Sequence, residues 1–407
     1  MKLQNLVTPF PLKDLNQKNI SAGLVSGIFI IAGPTALILE ASASGGFTMA
    51  QTIMWIFSVY VFGGLFGIFV PLYYRMPIVG GHSITGVAFL ATVTTQFTFH
   101  ELLGSYIMSG LLMLVIGVLG FFSKLIKFVP KEIISAMLAG MITKYMVNFI
   151  ISINQLIAVG IAALLAFLIT TRWRTKVPPI IAAILTGFIV LLLFYPLSSG
   201  EWSSGLFIPQ IQQPEFNMLS FLSVAVPLAL VILSNDAAVG LSGLEQNQYR
   251  PPVNRLISLS GIFSCIASFF GGQSANVAGM ATVICADKEA GPKEKRYMGA
   301  VVSGVLLLVF GVFAWKLIPF IQALPQEFIS MIVGFSLLGV FGNNLHIGFS
   351  KPTMKISASF AFMIALSNIT ILNISAPVWS LLIGTILARY VEIDTMTKIE
   401  EKVKDTA

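Results

Sequence analysis

The sequence predicts an all-α polytopic membrane protein whose fourteen transmembrane segments form two inverted repeats of seven spans. Three observations lead to this fold class: an apolar composition, a one-sided distribution of positive charge, and two motifs that each occur twice. The chain has 407 residues, of which 56% are hydrophobic and 10% are charged. Soluble domains carry about 25% charged residues, so this composition indicates an integral membrane protein.

Apolar runs long enough to cross about 30 Å of hydrocarbon mark the predicted spans. Seven runs precede a polar loop at 198–217, and they lie at roughly 20–41, 50–72, 77–95, 101–123, 131–151, 154–171 and 178–197. Seven more follow that loop, at roughly 219–243, 254–270, 271–287, 297–319, 326–345, 353–371 and 374–391. Glycines interrupt the third and tenth runs, and because glycine weakens a helix, we expect half-helices in these two spans.

The positively charged residues indicate how the chain is oriented. If both termini lie in the cytoplasm, the cytoplasmic side receives all of the 24 Lys and Arg residues except Lys144 and Lys316. Cytoplasmic loops of membrane proteins are enriched in Lys and Arg, so this distribution favours fourteen spans with both termini inside. The net charge of +7 is then a topology signal, and no nucleic-acid partner is expected. Residues 1–19 are polar with scattered lysines, which is not typical of a cleavable leader.

The sequence gives little support to an enzyme, a metal protein or an ATP-driven pump. Cys265 and Cys285 both lie in apolar runs, where they indicate no disulfide framework. No Cys/His cluster has the spacing of metal ligands, and no nucleophile-and-base motif is present. The glycine-rich phosphate-binding motifs are also missing from the sequence. We therefore expect neither a cofactor nor a bound metal.

Two motifs recur at nearly one spacing, which indicates an internal duplication. Residues 79–91 (VGGHSITGVAFLA) resemble 270–282 (FGGQSANVAGMAT), and aligning the two glycine pairs gives a spacing of 191 residues. Residues 129–135 (VPKEIIS) return as 324–330 (LPQEFIS), at a spacing of 195. Because seven is an odd number of spans, the two halves, 1–197 and 218–391, are expected to be inverted. Inverted repeats place a substrate site near the bilayer midplane, where they meet.

The glycine-containing copies are the candidate substrate site. We expect residues 76–81 and 267–272 to run extended and pair with each other, with helices starting near Ser83 and Ser274. Two helix starts that approach from opposite sides offer unpaired N–H groups and positive dipole ends to an anion. The candidate substrate-binding residues are Gly81, His82, Ser83, Thr85, Gly272, Gln273, Ser274, Asn276 and Asn235. The alternative is that the small residues only allow close helix packing.

Ionisable residues inside spans are costly and usually functional. Asp236 lies within the eighth span, and burial there favours the neutral carboxyl, which makes it a candidate proton carrier. The alternative is a carboxylate at the cytoplasmic mouth. His82, at the predicted break, is a second candidate for proton coupling or is packed by a hydrogen bond. Glu40 is expected to be exposed near the outer face, and Glu132 and Glu327 are expected to stabilise helix starts.

Several of these residues together resemble one known family. The run Tyr249-Arg250-Pro251-Pro252-Val253, the stretch from Phe270-Gly271-Gly272 to Asn276, Ile284-Cys285-Ala286, and Arg296-Tyr297 are similar to the signature of bacterial benzoate:proton symporters. The resemblance implies a fold shared with uracil permeases and sulfate-permease-type anion transporters. It implies a core domain, roughly 20–123 and 219–319, that moves against a gate domain, roughly 131–197 and 326–391. It further implies a bacterial cytoplasmic membrane, a proton gradient as energy source, and a homodimer as the candidate assembly.

The sequence departs from that family where the substrate is expected to bind. A histidine commonly follows the glycine pair of the tenth span in the family, and here Gln273 occupies that position, while His82 follows the other pair. The main hypothesis is symport of a proton with a small organic anion such as benzoate, with Phe89 or Phe270 as an apolar wall. A nucleobase symporter and an inorganic-anion transporter or exchanger are the alternatives. The tenth span offers no carboxylate near its start, which disfavours the nucleobase alternative.

Overall fold

The computed structural model describes residues 12–122, 129–173, 178–195, 207–372 and 374–392, and most of them are helical. The first half contains helices α1 Gln17–Ser44, α2 Met49–Tyr74, α3 Ile84–Val93, α4 Phe99–Leu119, α5 Lys131–Gln155, α6 Ile157–Trp173 and α7 Pro179–Phe194. The second half contains α8 Met218–Gln246, α9 Val253–Ser268, α10 Gly279–Ala286, α11 Tyr297–Val312, α12 Ala314–Gln322, α13 Gln326–Gly348, α14 Lys355–Ser367 and α15 Ala376–Tyr390. Two-residue strands form two antiparallel pairs, β1 Gly80–Gly81 with β2 Asn276–Val277 and β3 Thr370–Ile371 with β4 Ile374–Ser375.

A helix lies within each of the fourteen predicted apolar runs. Among the described residues, seven helical segments are long and apolar enough to cross a membrane: α1, α2, α4, α5, α8, α11 with the turn that precedes it, and α13. The helices in the third and tenth runs, α3 and α10, are only 10 and 8 residues long, as expected for half-helices. Strands β1 and β2 precede these two half-helices and hydrogen-bond to each other, so the mostly helical fold includes a short antiparallel pair.

Local sequence explains where several helices begin. Asn16, Thr48 and Thr98 each cap a helix with the side chain and form a capping box with the residue three positions later. Proline precedes α5 and α13, and an acidic residue follows in the first turn of each, where it suits the helix dipole. The first of these acids, Glu132, is buried and forms an ion pair with Lys351 at 2.8 Å.

The helices associate in two groups. Within the first, α2 packs on α11, α4 on α9, and α1 on α11. Within the second, α5 packs on α13 and α14, α6 on α7, and α14 on α15. The largest contact between the groups joins α1 to α13, where Gly33 lies directly against Ser336. The third, eighth and tenth spans, which hold the substrate candidates, belong to the first group, because α1 packs on α3 and α10, and α10 packs on α8.

Two basic residues that the sequence predicts to lie on the cytoplasmic side, Arg75 and Lys295, are also close together in the structure. Asp14 lies 3.7 Å from both Arg75 and Lys295 and accepts a hydrogen bond from the Tyr297 hydroxyl at 2.5 Å. Arg75 also donates a hydrogen bond to Tyr297. Three chain segments that are distant in sequence are therefore joined at one end of the first helix group. Of the residues predicted to face the cytoplasm, Lys2, Lys124, Lys127, Arg174, Lys176, Lys398, Lys402 and Lys404 lie outside the described part of the chain.

Glycine sets the distance between α2 and α11, which gives a direct test of the packing. A Cβ atom on Gly304 would lie 2.7 Å from the carbonyl carbon of Gly67, and backbone cannot yield. We expect Gly304→Ala to destabilise the protein by about 1–3 kcal/mol through overpacking, measured as a lower Tm in detergent.

The matched control is Gly339→Ala on α13, where an added Cβ meets nothing within 4 Å. There the substitution is expected to be neutral or stabilising, because alanine favours helix more than glycine does. Equal Tm shifts for the two variants would contradict the proposed packing constraint.

Candidate functional site

The strand pair β1–β2 joins the two segments that the sequence singled out. Gly80 pairs with Val277 and Gly81 with Asn276, and the chains run in opposite directions. The Ala278 N–H adds a hydrogen bond to the Val79 carbonyl oxygen at 2.9 Å. Helix α3 starts directly after one strand and α10 directly after the other. The two helix starts therefore meet across a pair of hydrogen-bonded, antiparallel strands.

The second segment differs from its prediction in register. The expected pairing of 76–81 with 267–272 is wrong, as is the expected helix start near Ser274, because α10 begins at Gly279 with Ala278 as its N-cap. The glycine pair of this copy has another role. Gly271 (φ +95°) and Gly272 donate backbone hydrogen bonds to Ser268 and Ala267, at 3.1 and 3.0 Å, and so close the end of α9.

The helix starts give a corrected spacing between the copies. Ser83 caps α3 and Ala278 precedes α10, which places the two N-caps 195 residues apart. The prolines that precede α5 and α13, Pro130 and Pro325, have the same spacing. Alignment of one glycine pair on the other, at 191, is therefore four residues out of register with the structure.

Ser83 is the N-cap residue that the sequence predicts, and it gathers three polar contacts. Its hydroxyl accepts a hydrogen bond from the Gly86 N–H at 2.9 Å and lies 3.1 Å from the Thr85 hydroxyl. Its own N–H donates to the Ser274 hydroxyl at 3.2 Å. The structure thus brings Ser83, Thr85 and Ser274 together, although Ser274 contacts the start of α3 and does not cap α10.

Asp236 faces the hydroxyls of Ser83 and Thr85 from α8. It lies in a wide, π-type turn, Ile232–Ala237, and such turns are frequent at functional sites. Glycine allows the approach, since a Cβ atom on Gly279 would lie 2.8 Å from the Asp236 carbonyl oxygen. The carboxyl is 8% exposed, and its Oδ2 has no hydrogen-bond partner in the described structure. Asn235 is partly exposed, and its side-chain amide reaches Ser234 at 3.4 Å.

Three more predicted residues are buried beside the strand pair and keep polar atoms unpaired. Both ring nitrogens of His82 lack a partner among the described residues, and its ring meets that of Tyr60 edge to face at 5.0 Å. Asn276 donates to the Val277 carbonyl at 3.0 Å, and its Oδ1 is unpaired. The Gln273 Oε1 accepts from the Trp55 indole at 2.5 Å, and its Nε2 is unpaired. Buried polar atoms without partners are rare in native proteins, so a cluster of them needs a ligand, ordered water or a proton carrier as explanation.

Helix α2 supplies two residues of the candidate site that the sequence did not predict. Trp55 holds Gln273, and Tyr60 both packs on His82 and shares a 2.7 Å hydrogen bond with Thr35 of α1. These aromatic residues lie in a continuous apolar run, where hydropathy gives no sign that their polar atoms point inward. The sequence did contain one sign that α2 takes part in the site, namely its glycines Gly63, Gly64 and Gly67. A glycine-rich helix face indicates close contact with another backbone.

Other predicted residues lie at a distance from these contacts or serve packing. Gly272 lies against Ser58, whose hydroxyl oxygen would be 2.6 Å from an added Cβ. Phe89 is fully buried, and Phe270 packs on Phe62 with ring centroids 5.3 Å apart. Glu40 was expected to be exposed, but it is half-buried with an unpaired Oε2, because α1 continues to Ser44 and keeps it between helices. No group of three metal-ligating side chains occurs among the described residues.

The chain resembles known membrane proteins along most of its length. It is 28% identical to inner membrane protein YdcO of Escherichia coli, in a match that covers 89% of this chain and 93% of that protein. It is 25% identical to the benzoate membrane transport protein of Acinetobacter baylyi, with 89% and 92% covered. These relatives are transport or membrane proteins by name, and neither is named as an enzyme.

Two solved structures share the fold. The transmembrane domain of the cyanobacterial bicarbonate transporter BicA superposes with a TM-score of 0.60 at 17% identity, covering 92% of this chain and 98% of that one. The murine solute carrier 26 family member A9 anion transporter, in its inward-facing state, superposes with a TM-score of 0.61 at 13% identity, covering 95% and 70%. At these identities the likeness establishes the fold alone.

Residues 13–390 match the family of benzoate membrane transport proteins, BenE. The match spans all the helices described above, including both half-helices and the strand pair between them. The chain therefore belongs to the BenE family of membrane transport proteins and is not an enzyme.

Proposed function

We propose that this protein is a secondary active transporter that carries a small organic anion, benzoate or a similar aromatic carboxylate, together with a proton. The observation that supports this most is the junction of two helix starts across β1–β2, next to a buried carboxyl with an unpaired oxygen. Helix starts favour an anion, and the carboxyl offers a place for a proton. The substrate-binding residues are Gly81, His82, Ser83, Thr85, Gly272, Gln273, Ser274, Asn276 and Asn235.

The anion binds without an arginine in this proposal. The start of α10 has no side-chain cap, so its first N–H groups are available to a ligand carboxylate. Ser83 and Ser274 meet at the start of α3, at the other end of the strand pair, and Gln273 and Asn276 belong to the segment that leads from there to α10. The unpaired Nε2 of Gln273 can donate a directional hydrogen bond to the anion, and the helix dipoles supply positive potential. Such a site suits a singly charged carboxylate better than a highly charged anion.

The family and one relative favour an aromatic carboxylate as substrate. The family is described as benzoate transport proteins, and the Acinetobacter baylyi relative carries that name at 25% identity. A nucleobase symporter is less favoured, because no carboxylate occurs in α10 or in its strand β2. An inorganic anion remains the second candidate, since the fold is shared with the bicarbonate transporter BicA.

Asp236 is the proton carrier in this mechanism. The neutral carboxyl can donate to the hydroxyls of Ser83 or Thr85, and the ionised form leaves a negative charge beside the anion site. Because like charges repel, binding of a carboxylate substrate favours the protonated form of Asp236. Proton and anion are therefore taken up together and released together. His82 is a second coupling candidate, with both ring nitrogens unpaired in the described structure.

Transport proceeds by movement of one helix group against the other. The core comprises the spans at roughly 20–123 and 219–319, the gate those at roughly 131–197 and 326–391. The contacts within each group and the common spacing of 195 residues support fourteen spans in two inverted halves, 1–197 and 218–391. We place the protein in the bacterial inner membrane with both termini in the cytoplasm. A homodimer is proposed on the resemblance to the family.

Concentrative uptake is the direct test of the transport cycle. In proteoliposomes with an inward proton gradient, labelled benzoate should accumulate above its external concentration, because proton entry drives the anion inward. An uncoupler should abolish the accumulation. Accumulation that does not depend on the proton gradient would rule out proton symport. Stronger competition by unlabelled uracil or bicarbonate than by unlabelled benzoate would favour the alternative substrates.

Asp236→Asn tests the proton carrier. The amide keeps the shape and the hydrogen bonds but holds no transferable proton, so gradient-driven uptake should fall to that of empty liposomes. Exchange of internal for external benzoate, which moves no net proton, should persist. The control is Glu245→Gln, an exposed acid on the same helix, with wild-type uptake expected. Gradient-driven uptake by Asp236→Asn equal to that of wild type would exclude this role.

Gln273 and His82 are tested as the specificity pair by exchanging their types. We expect Gln273→His and His82→Gln each to weaken benzoate binding about tenfold, the equivalent of one hydrogen bond to a charged group. Ligand-induced Tm shifts with aromatic carboxylates, nucleobases and inorganic anions, at about pH 6 and about pH 8, measure preference and pH dependence. Gln246→His, at the exposed end of α8, is the control. Unchanged preference and pH dependence in both variants would remove the pair from the site.

A further inference from the structure

An apolar groove of about 380 Å³ runs along the outside of the first helix group, between α1 and α11. Its wall comes from apolar residues, among them Leu12, Leu15, Leu24, Met298, Val305 and Val309. Leu24, Val305 and Val309 remain 42%, 43% and 49% exposed. No polar side chain interrupts the wall, so the groove is suited to a hydrocarbon chain.

Along α11 the groove is about as long as one leaflet is deep. Met298 and Val309 are separated by eleven helical positions, which correspond to about 16 Å along the axis. Half of a hydrocarbon core is about 15 Å. One acyl chain of a leaflet phospholipid therefore matches the groove in length as well as in polarity.

Basic groups surround one end of the groove. Lys13 lies between two lining residues, Leu12 and Leu15, and its side chain is exposed. Lys295, three positions before Met298, donates its ammonium to the Lys13 carbonyl oxygen at 3.4 Å and lies 3.7 Å from Asp14. Arg75 lies on the other side of the same aspartate. Arg75 and Lys295 thus flank the Asp14 carboxylate, while Lys13, beside them in sequence or by contact, forms no ion pair in the described structure.

We propose that this groove binds an anionic phospholipid of the cytoplasmic leaflet, with one acyl chain between α1 and α11 and the phosphate at Lys13. The excess of positive charge at the mouth favours an anionic headgroup over a zwitterionic one, because each lysine near the surface attracts anionic lipid. The bound lipid fastens the segment before α1 to α11. Its binding is independent of which anion the protein carries.

The test compares two lipids with the same chains and different headgroups. Native mass spectrometry of the full, delipidated chain is titrated with dioleoyl phosphatidylglycerol and with dioleoyl phosphatidylcholine. We expect the first bound phosphatidylglycerol to be tighter, and Lys13→Gln to weaken it about fivefold, the effect of one lysine at a membrane surface. Lys355→Gln, an exposed lysine of the second helix group, should leave binding unchanged.

Variants with a bulky side chain in the groove distinguish a specific lipid-binding site from non-specific lipid binding. Val305→Trp and, from the opposite wall, Leu24→Trp should each remove the first bound phosphatidylglycerol, while Leu193→Trp, exposed on α7, should not. A Tm equal to that of wild type in the same detergent shows that each variant is folded. Equal affinity for the two lipids, or unchanged binding in both folded groove variants, would overturn the proposal.

Discussion

Backbone hydrogen bonding in the interior of a membrane protein is the constraint on which this structure depends. Backbone that is not helical must find partners within the protein or face a polar cavity. The segments before α3 and α10 satisfy this demand by pairing with each other through β1–β2. The pairing then fixes where two helices start and which side chains surround them. The site is thus a consequence of how two broken spans satisfy their backbone.

That pair of strands is held at its distance by glycine. A Cβ atom on Gly63 would lie 2.9 Å from the Gly81 Cα, and one on Gly67 would lie 3.0 Å from the Gly80 nitrogen. Helix α2 therefore rests on the backbone of β1, and α11 rests on α2 through Gly304. Since α2 also supplies Trp55 and Tyr60, the same close approach brings the aromatic groups to Gln273 and His82.

The length of the apolar runs was enough to predict the helices, and local capping chemistry was enough to place the start of α3 near Ser83. The second copy was predicted less well, because identical glycine pairs serve different purposes. Gly80 and Gly81 form a strand, whereas Gly271 and Gly272 end α9. Only tertiary contact decides between these roles, since Gly272 lies against Ser58 of a distant helix. The π-type turn at Asp236 likewise has no periodic signature in an apolar run.

The corrected spacing changes what the two halves contribute to the site. When the two halves are aligned with a spacing of 195 residues, Gly81 corresponds to Asn276. These two residues also pair with each other in β1–β2, so the pair lies where the two halves meet. Ser83 then corresponds to Ala278, so the copy that contains α10 lacks the hydroxyl that caps its counterpart. A capped helix start already has a partner for one N–H, whereas an uncapped start needs one. In the mechanism that we propose, this asymmetry between Ser83 and Ala278 would direct the anion towards α10 and leave the hydroxyls of the α3 start to Asp236.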